Sequence, residues 1–197
     1  MPFGHIRMFI AIQIAPQVRA AIDRYLASRI TDPERVRWVR PDNFHLTVKF
    51  LGEVPMRDIC RPIVDAQSVC SQFEPFDLAF SGLGAFPDTA RPRTLWVGVT
   101  EGLEESAELA EALDNKLFES GFPREGRRFT PHLTIGRVKQ KNLPETGGID
   151  SLILPEKDVP FFGVSPVDSL TIFMSTLSHS GPRYEVLDEA PLKRSDR

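Results

Sequence analysis

The chain has 197 residues, of which 41% are hydrophobic and 26% are charged, a composition typical of a globular protein with a sizeable core. Its formal net charge of −3 argues against a protein that coats long stretches of duplex nucleic acid. The apolar run from Met8 to Ile14 contains Gln13 and is much shorter than the ~20 residues of a membrane span. The segment after Ile14 is an amphipathic helix pattern that carries Arg19, Asp23 and Arg24 and not a secretory signal, so we expect a cytoplasmic protein without a membrane partner. We also expect a monomer, folded over residues 1–197 as one domain of two packed lobes.

Strand-type and helix-type patterns are interleaved along the chain. In chain order we predict strand 8–14, helix 16–30, strands 36–39 and 44–51, helix 55–72, strands 76–86 and 94–100, helix 102–120, strand 131–138, a polar loop 139–148, and strands 152–154, 159–164, 169–177 and 184–187. We expect Gly52 to end its strand and Gly121 to cap the third helix. Short connections between strands favour antiparallel pairing, so the predicted fold class is α+β.

Cysteines and arginines give weaker signals. The spacing of Cys60 and Cys70 fits neither a zinc site nor a disulfide framework, so we expect both to be reduced packing residues.

Arginines precede two histidine-containing segments and could hold a nucleic acid locally, although single surface arginines are usually only solvated. They are Arg35, Arg37 and Arg40 before the first segment, and Arg124, Arg127 and Arg128 before the second.

One pattern occurs twice, as FHLTVKFLG around His45 and as PHLTIGRV around His132. From ordinary residue usage, the chance that Leu, Thr and then Val or Ile follow a given histidine is on the order of one in a thousand. On a strand, the histidine and threonine of each copy project from one face and the apolar residues from the other. If the copies lie on facing lobes related by a pseudo-two-fold axis, the polar side chains, including Thr47 and Thr134, converge on a central cleft.

Two imidazoles and two hydroxyls in one cleft suit in-line displacement at phosphorus. One histidine takes a proton from the nucleophile and the other donates a proton to the leaving oxygen. The unperturbed histidine pKa of ~6.5 suits both tasks. Thr47 and Thr134 are placed to hydrogen-bond the non-bridging phosphate oxygens, and Arg137 is a further candidate for that role. A single His-x-Thr is more often structural, so the interpretation depends on the repeat.

A metal site is the alternative use of such histidines. Catalytic zinc typically has three protein ligands, and no third ligand stands at a suitable spacing, since Asp42 belongs to a turn. We therefore expect neither a metal nor another cofactor. His5 and His179 lack the threonine partner and are interpreted as structural histidines.

The motif pair resembles that of the 2H phosphoesterases, which are named for two copies of His-x-(Thr or Ser)-x. Over nearly the whole chain, four segments resemble the bacterial and archaeal RNA 2',3'-cyclic phosphodiesterases, also called 2'-5' RNA ligases: RWVRPDNFHLTVKFLGEV, LGAFPDTARPRTLWVGV, FTPHLTIGRV and GPRYEVL. The resemblance implies a bilobal α+β fold of two antiparallel sheets with flanking helices. It also implies metal-independent hydrolysis of a terminal 2',3'-cyclic phosphate to a 2'-phosphate, with a weak reverse ligation that forms a 2'-5' bond.

The resemblance also implies catalytic and phosphate-binding roles for individual residues of this chain. By this resemblance His45 would protonate the departing 3' oxygen and His132 would activate the attacking water, with the reverse assignment left open. Thr47 and Thr134 would steady the phosphate, and Arg137 matches a basic position that commonly follows the second motif.

Recognition beyond the phosphate is less defined by the sequence. The expected partner is RNA with a 2',3'-cyclic phosphate end, such as a tRNA half. Phe44 and Phe129 are candidates for stacking on a base, while Trp38 and Phe50 are considered but expected in the core. Two alternatives remain: a 2H phosphodiesterase for a small cyclic nucleotide or 2'-5' oligonucleotide, and a non-catalytic module that binds RNA ends.

Overall fold

The computed structural model describes residues 4–139, 148–153, 158–178 and 181–193. Within these ranges the chain forms three α-helices: α1 (Pro16–Arg29), α2 (Cys60–Cys70) and α3 (Leu103–Glu119). Nine strands accompany them: β1 (His5–Gln13), β2 (Val36–Trp38), β3 (His45–Pro55), β4 (Phe76–Phe86), β5 (Thr94–Glu101), β6 (His132–Val138), β7 (Phe161–Val167), β8 (Ser169–Ser178) and β9 (Gly181–Pro191).

The strands form two antiparallel sheets. The first sheet has the order β3-β1-β8-β9, and the second has the order β2-β6-β5-β4-β7. Helix α2 packs against β8 and β9, α3 contacts β3, and α1 contacts β7. The predicted α+β class with two antiparallel sheets and flanking helices is confirmed.

Helix α3 shows how the apolar pattern sets the packing. Leu109, Leu113 and Leu117 follow one another at four-residue spacing and are fully buried on one stripe. Two residues beyond the end of the helix, Gly121 has a φ of 93°, a conformation that glycine adopts without steric cost. The Phe122 amide then donates to the Leu117 carbonyl at 3.0 Å and closes the terminus. The predicted cap is confirmed.

Several predicted boundaries were wrong. Of the strand predicted at 152–154, Leu152 belongs to a turn that follows a 3-10 helix (Gly148–Ser151), Ile153 forms an isolated bridge to Ile30, and residue 154 lies outside the described ranges. Strand β3 does not end at Gly52, because this glycine adopts a φ of 72° and lets pairing with β1 continue to Pro55. Most of the predicted loop 139–148 lies outside the described residues.

The second helix also differs from its prediction. A 3-10 turn over Met56–Asp58 precedes it, and α2 begins only at Cys60. Cys60 is exposed at this helix start, so the prediction that it is a packing residue was wrong. Cys70 is buried as expected, and its burial raises the pKa of the thiol to about 12.

A buried ion pair joins β3 to α3. The Lys49 side chain is 3% exposed, and its ammonium donates to Asp114 Oδ1 at 2.5 Å and to the Pro123 carbonyl at 2.7 Å. Burial alone would raise the pKa of Asp114, but hydrogen bonds from Lys49 and the Glu125 amide, with the charges of Lys49 and Arg124, lower it. The pair anchors the strand that carries the first motif.

Candidate active site

The two His-Leu-Thr motifs lie on β3 and β6, one strand from each sheet, and these two strands contact each other. His45 lies opposite Gln13 of β1, and His132 lies opposite Gly98 of β5. The intervening leucines, Leu46 and Leu133, are fully buried in the core. Period-two alternation therefore holds through the first three residues of both motifs.

Each motif strand carries a β-bulge at the fourth residue of its motif. On β3, Thr47 pairs with Ala11 and Lys49 pairs with Ile10, so Val48 is the extra residue. On β6 the ladder likewise skips one residue, Ile135. A bulge shifts the alternation of side chains by one position. The two motifs thus repeat in backbone geometry as well as in sequence.

The bulge on β3 exchanges the environments of two side chains. Simple alternation would place Lys49 on the same face of β3 as His45, and would direct Phe50 into the core. The structure instead buries Lys49, while Phe50 is 55% exposed and lies on the same face as Thr47. The expectation that Phe50 belongs to the core was therefore wrong.

The bulge on β6 acts in the same way on Arg137. This residue is three positions beyond Thr134, so a regular strand would direct the two to opposite faces. In the structure Thr134 pairs with Trp96 and Arg137 pairs with Thr94. Trp96 and Thr94 are two residues apart and share a face, so Arg137 lies on the same face as Thr134. Positions three beyond the threonines are thus aromatic in one copy and cationic in the other.

Backbone carbonyls orient both imidazoles. Nδ1 of His45 is 2.7 Å from the Asn43 carbonyl oxygen, and Nδ1 of His132 is 2.7 Å from the Thr130 carbonyl oxygen. A carbonyl can only accept, so Nδ1 carries the proton in both rings. Nε2 of each ring is then the atom available to take or give a proton. Sequence reasoning missed this support, which comes in each case from the residue two positions before the histidine.

Aromatic rings surround both histidines. The His45 ring lies 4.9 Å from the ring of Phe9 and 5.3 Å, edge-on, from that of Tyr184. The His132 ring lies 4.9 Å, edge-on, from the ring of Phe86 and 6.5 Å from that of Trp96. These rings come from other strands, so no local sequence signal marks them. They fix the imidazole planes and remove much of the surrounding water.

An electrostatic interaction links the two halves of the site. Burial raises the pKa of Tyr184, and the positive charges of Arg137 and Arg7 oppose that rise. Tyr184 belongs to the first sheet and touches His45, whereas Arg137 belongs to the second sheet and follows the second motif. The two motifs therefore face a shared space.

Both catalytic candidates have lowered pKa values. Burial is the main cause of the lowered pKa of His45, and its hydrogen bond to the Asn43 carbonyl partly opposes it. Burial also lowers the pKa of His132, the bond to the Thr130 carbonyl opposes it, and the nearby charge of Arg137 lowers it further. Neutral imidazoles are thus favoured near neutral pH.

The other predicted site residues differ in their surroundings. Thr47 and Thr134 are half-buried, and neither hydroxyl is hydrogen-bonded to a described residue. Phe44 is only 4% exposed, because it turns into the core between the Pro41–Asn43 turn and β3. The interpretation of Phe44 as a base-stacking residue was therefore wrong. Phe129 is half-buried and packs against the core.

The described residues contain neither a metal-binding cluster nor a membrane-spanning helix. Within these ranges, no three His, Cys, Asp or Glu side chains come together in a group that could hold a metal ion. None of the helices in the described part of the chain is long and apolar enough to cross a membrane.

Comparison with known proteins supports the repeat and the class of protein. A family model for the LigT-like phosphoesterases matches the chain twice, over residues 12–96 and 97–184. The first match contains His45 and the second contains His132. The double match confirms the resemblance to the 2H phosphoesterases. Within this class, the chain belongs to the LigT-like phosphoesterase family.

Individual relatives extend over most of the chain. The RNA 2',3'-cyclic phosphodiesterase of Archaeoglobus fulgidus is 35% identical over 92% of this chain and 98% of its own length. The protein of that name from Aquifex aeolicus is 34% identical over 78% of this chain and 80% of its own length. Escherichia coli LigT, solved in complex with 3'-AMP, gives a TM-score of 0.78 at 26% identity, covering 96% of this chain and 99% of LigT.

Proposed function

We propose that this protein hydrolyses RNA 2',3'-cyclic phosphate ends to 2'-phosphates, with His45 and His132 as the acid and base. The observation that carries the proposal is the matched geometry of the two histidines. Each donates from Nδ1 to the carbonyl of the residue two positions before it, at 2.7 Å, and precedes a threonine on the same face. Relatives that carry the name RNA 2',3'-cyclic phosphodiesterase support the choice of substrate.

The reaction follows from the two Nε2 atoms. Neutral His132 takes a proton from water through Nε2 while the water oxygen attacks phosphorus. The bond from phosphorus to the 3' oxygen breaks, and protonated His45 donates its Nε2 proton to that oxygen. The products are a 2'-phosphomonoester and a free 3'-hydroxyl, and proton exchange with solvent resets both rings. A 5'-hydroxyl in place of water would give a 2'-5' bond by the same steps.

Three side chains stabilise the negative charge on the phosphate. The hydroxyls of Thr47 and Thr134 lie on the same faces as the histidines and donate to the non-bridging oxygens. The Arg137 guanidinium stands on the Thr134 face and attracts the phosphate anion. No step requires a metal, so hydrolysis should persist in excess chelator.

The experiment that tests this function is product assignment. A short RNA ending in a 2',3'-cyclic phosphate is incubated with the protein in chelator, and the product is compared by chromatography with 2'- and 3'-phosphate standards. A 2'-phosphate supports the proposal. A 3'-phosphate would contradict the assigned leaving oxygen, and absence of turnover would contradict the substrate.

The pH dependence of kcat/KM should be bell-shaped with a maximum on the acid side of pH ~6.5, because both histidine pKa values are lowered. Arg137→Gln removes a positive charge beside His132. Because this removal stabilises the imidazolium, it raises the pKa of His132. One limb of the profile should therefore move to higher pH while the other stays. Arg137→Lys retains the charge and is the matched control. Unchanged limbs in the Gln variant would contradict the assigned electrostatic coupling.

Loss of either threonine hydroxyl should weaken transition-state stabilisation. We expect Thr47→Val and Thr134→Val to lower kcat about a hundredfold each, as is typical for a lost donor to a developing anion. Thr→Ser at the same positions keeps the hydroxyl and should retain most of the activity. Steady-state kinetics on the cyclic-phosphate RNA make the comparison, and near-normal kcat in the Val variants would exclude this role.

A further inference from the structure

Two arginines stand directly opposite each other beside the second motif. Arg37 of β2 pairs with Arg137 of β6, and both side chains are exposed. Cross-strand partners project from the same face of a sheet. Since Arg137 shares its face with Thr134, Arg37 also lies on the face that carries the His132 motif.

The two arginines have no acidic partner in the described part of the chain. Within the described ranges neither guanidinium forms an ion pair with a carboxylate, and Arg137 donates only to Thr94 Oγ1 at 3.4 Å. Like charges placed directly opposite destabilise a sheet. In a chain whose net charge is −3, this local cationic pair is not explained by composition. An anion bound between the two guanidinium groups would remove the repulsion and could be held by paired hydrogen bonds.

Register gives the distance from the catalytic groups. Thr134 and Arg137 face Trp96 and Thr94, which are two residues apart on β5, or roughly 7 Å along the strand. Arg37 lies one strand farther, at about 4.8 Å from β6. Arg137 therefore stays within reach of a phosphate held at Thr134, while Arg37, the more distant of the two, lies about one nucleotide away from that phosphate.

We propose that Arg37, beside Arg137, forms a second phosphate subsite, which binds the phosphodiester on the 5' side of the terminal nucleotide. The inference rests on the proposed function and specifies its substrate class. A mononucleotide cyclic phosphate cannot fill this subsite, because it lacks that phosphodiester. The protein accordingly prefers the end of an oligoribonucleotide.

The test compares two substrates that differ by one nucleotide. Adenosine 2',3'-cyclic phosphate has no upstream phosphodiester, whereas an adenylyl dinucleotide ending in the same cyclic phosphate has one. We expect the wild-type kcat/KM to favour the dinucleotide by about tenfold at low salt, as befits one charge-assisted contact. Arg37→Gln should bring this ratio close to one. Arg61→Gln, a change at an exposed arginine on α2, is the matched control and should keep the ratio.

A neutral methylphosphonate in place of the dinucleotide linkage provides a second readout. In the wild type, the methylphosphonate should lower the ratio of kcat/KM for dinucleotide over mononucleotide as far as Arg37→Gln does. In the Arg37→Gln variant, it should lower this ratio no further. The loss of kcat/KM with added salt for the charged dinucleotide should also become smaller on substitution of Arg37, because one screened charge pair is removed. A ratio that is unchanged in Arg37→Gln overturns the subsite, while the proposed function survives. If the wild type hydrolyses neither substrate, both proposals fail.

Discussion

Replacing either motif histidine by alanine is expected to lower kcat about a thousandfold on a cyclic-phosphate RNA, in the range of a lost general acid or base. Both rings are held by one carbonyl hydrogen bond and by ring contacts, so the fold should survive. Because His45 and His132 act in one proton-transfer cycle, the double variant should be little worse than either single variant. Single-turnover and steady-state kinetics measure these losses.

The matched control is His5→Ala, which changes an exposed histidine at the start of β1 and should leave kcat unaltered. Thermal unfolding of all variants distinguishes a chemical from a structural role. If His45→Ala and His132→Ala lose activity only in proportion to lost folded protein, the histidines are structural and the proposed chemistry is wrong.

Removing Lys49 should produce the largest loss of stability among the substitutions considered. Lys49→Met leaves the Asp114 carboxylate, whose side chain is 18% exposed, without its cationic partner. We expect the free energy of unfolding to fall by about 3 kcal/mol at pH 7, as for other broken buried pairs. Denaturant titration measures the change. Lys116→Ala, which breaks an exposed pair with Glu119, should cost less than about 0.5 kcal/mol.

The sign of the pH dependence follows from Asp114. Its pKa is lowered in the folded protein, so the stabilisation is present above the unfolded pKa of ~3.9 and is lost as the pH falls through the folded pKa. The difference between wild type and Lys49→Met should therefore shrink below about pH 4. Combining Lys49→Met with Asp114→Leu should recover much of the loss at pH 7. A single variant as stable as wild type would contradict the role of the pair.

Much of the fold could be predicted from local patterns. The leucine stripe and Gly121 defined α3, and the alternation through His45-Leu46-Thr47 predicted which face each motif residue occupies. These signals depend on residues that are near one another in the chain. They are sufficient where the backbone is regular.

The bulges could not be predicted, because the period-two pattern assumes an unbroken ladder. The extra residues Val48 and Ile135 look like ordinary strand residues, yet they move Phe50 and Arg137 onto the faces of the histidines. Lys49 in the core is the other consequence, and its partner Asp114 lies on a distant helix.

The rings around the histidines were also beyond sequence reasoning from the motifs alone. Tyr184 contacts His45 because β9 joins the first sheet at the edge opposite β3, where the Tyr184 ring packs against both Phe9 and His45. Long-range strand order is not encoded in any short segment. Similarly, the opposition of Arg37 and Arg137 appears only once the register of β2 against β6 is known.

The central claim is that both histidines act on one phosphate, and NMR titration of their ring protons with adenosine 2'-phosphate tests it most directly. The phosphate anion should raise the pKa of His45 and of His132, and both sets of resonances should follow one binding isotherm with the same Kd. Thr47→Val and Thr134→Val should weaken that binding together. Displacement of only one histidine's resonances, or two different binding constants, would contradict a shared site.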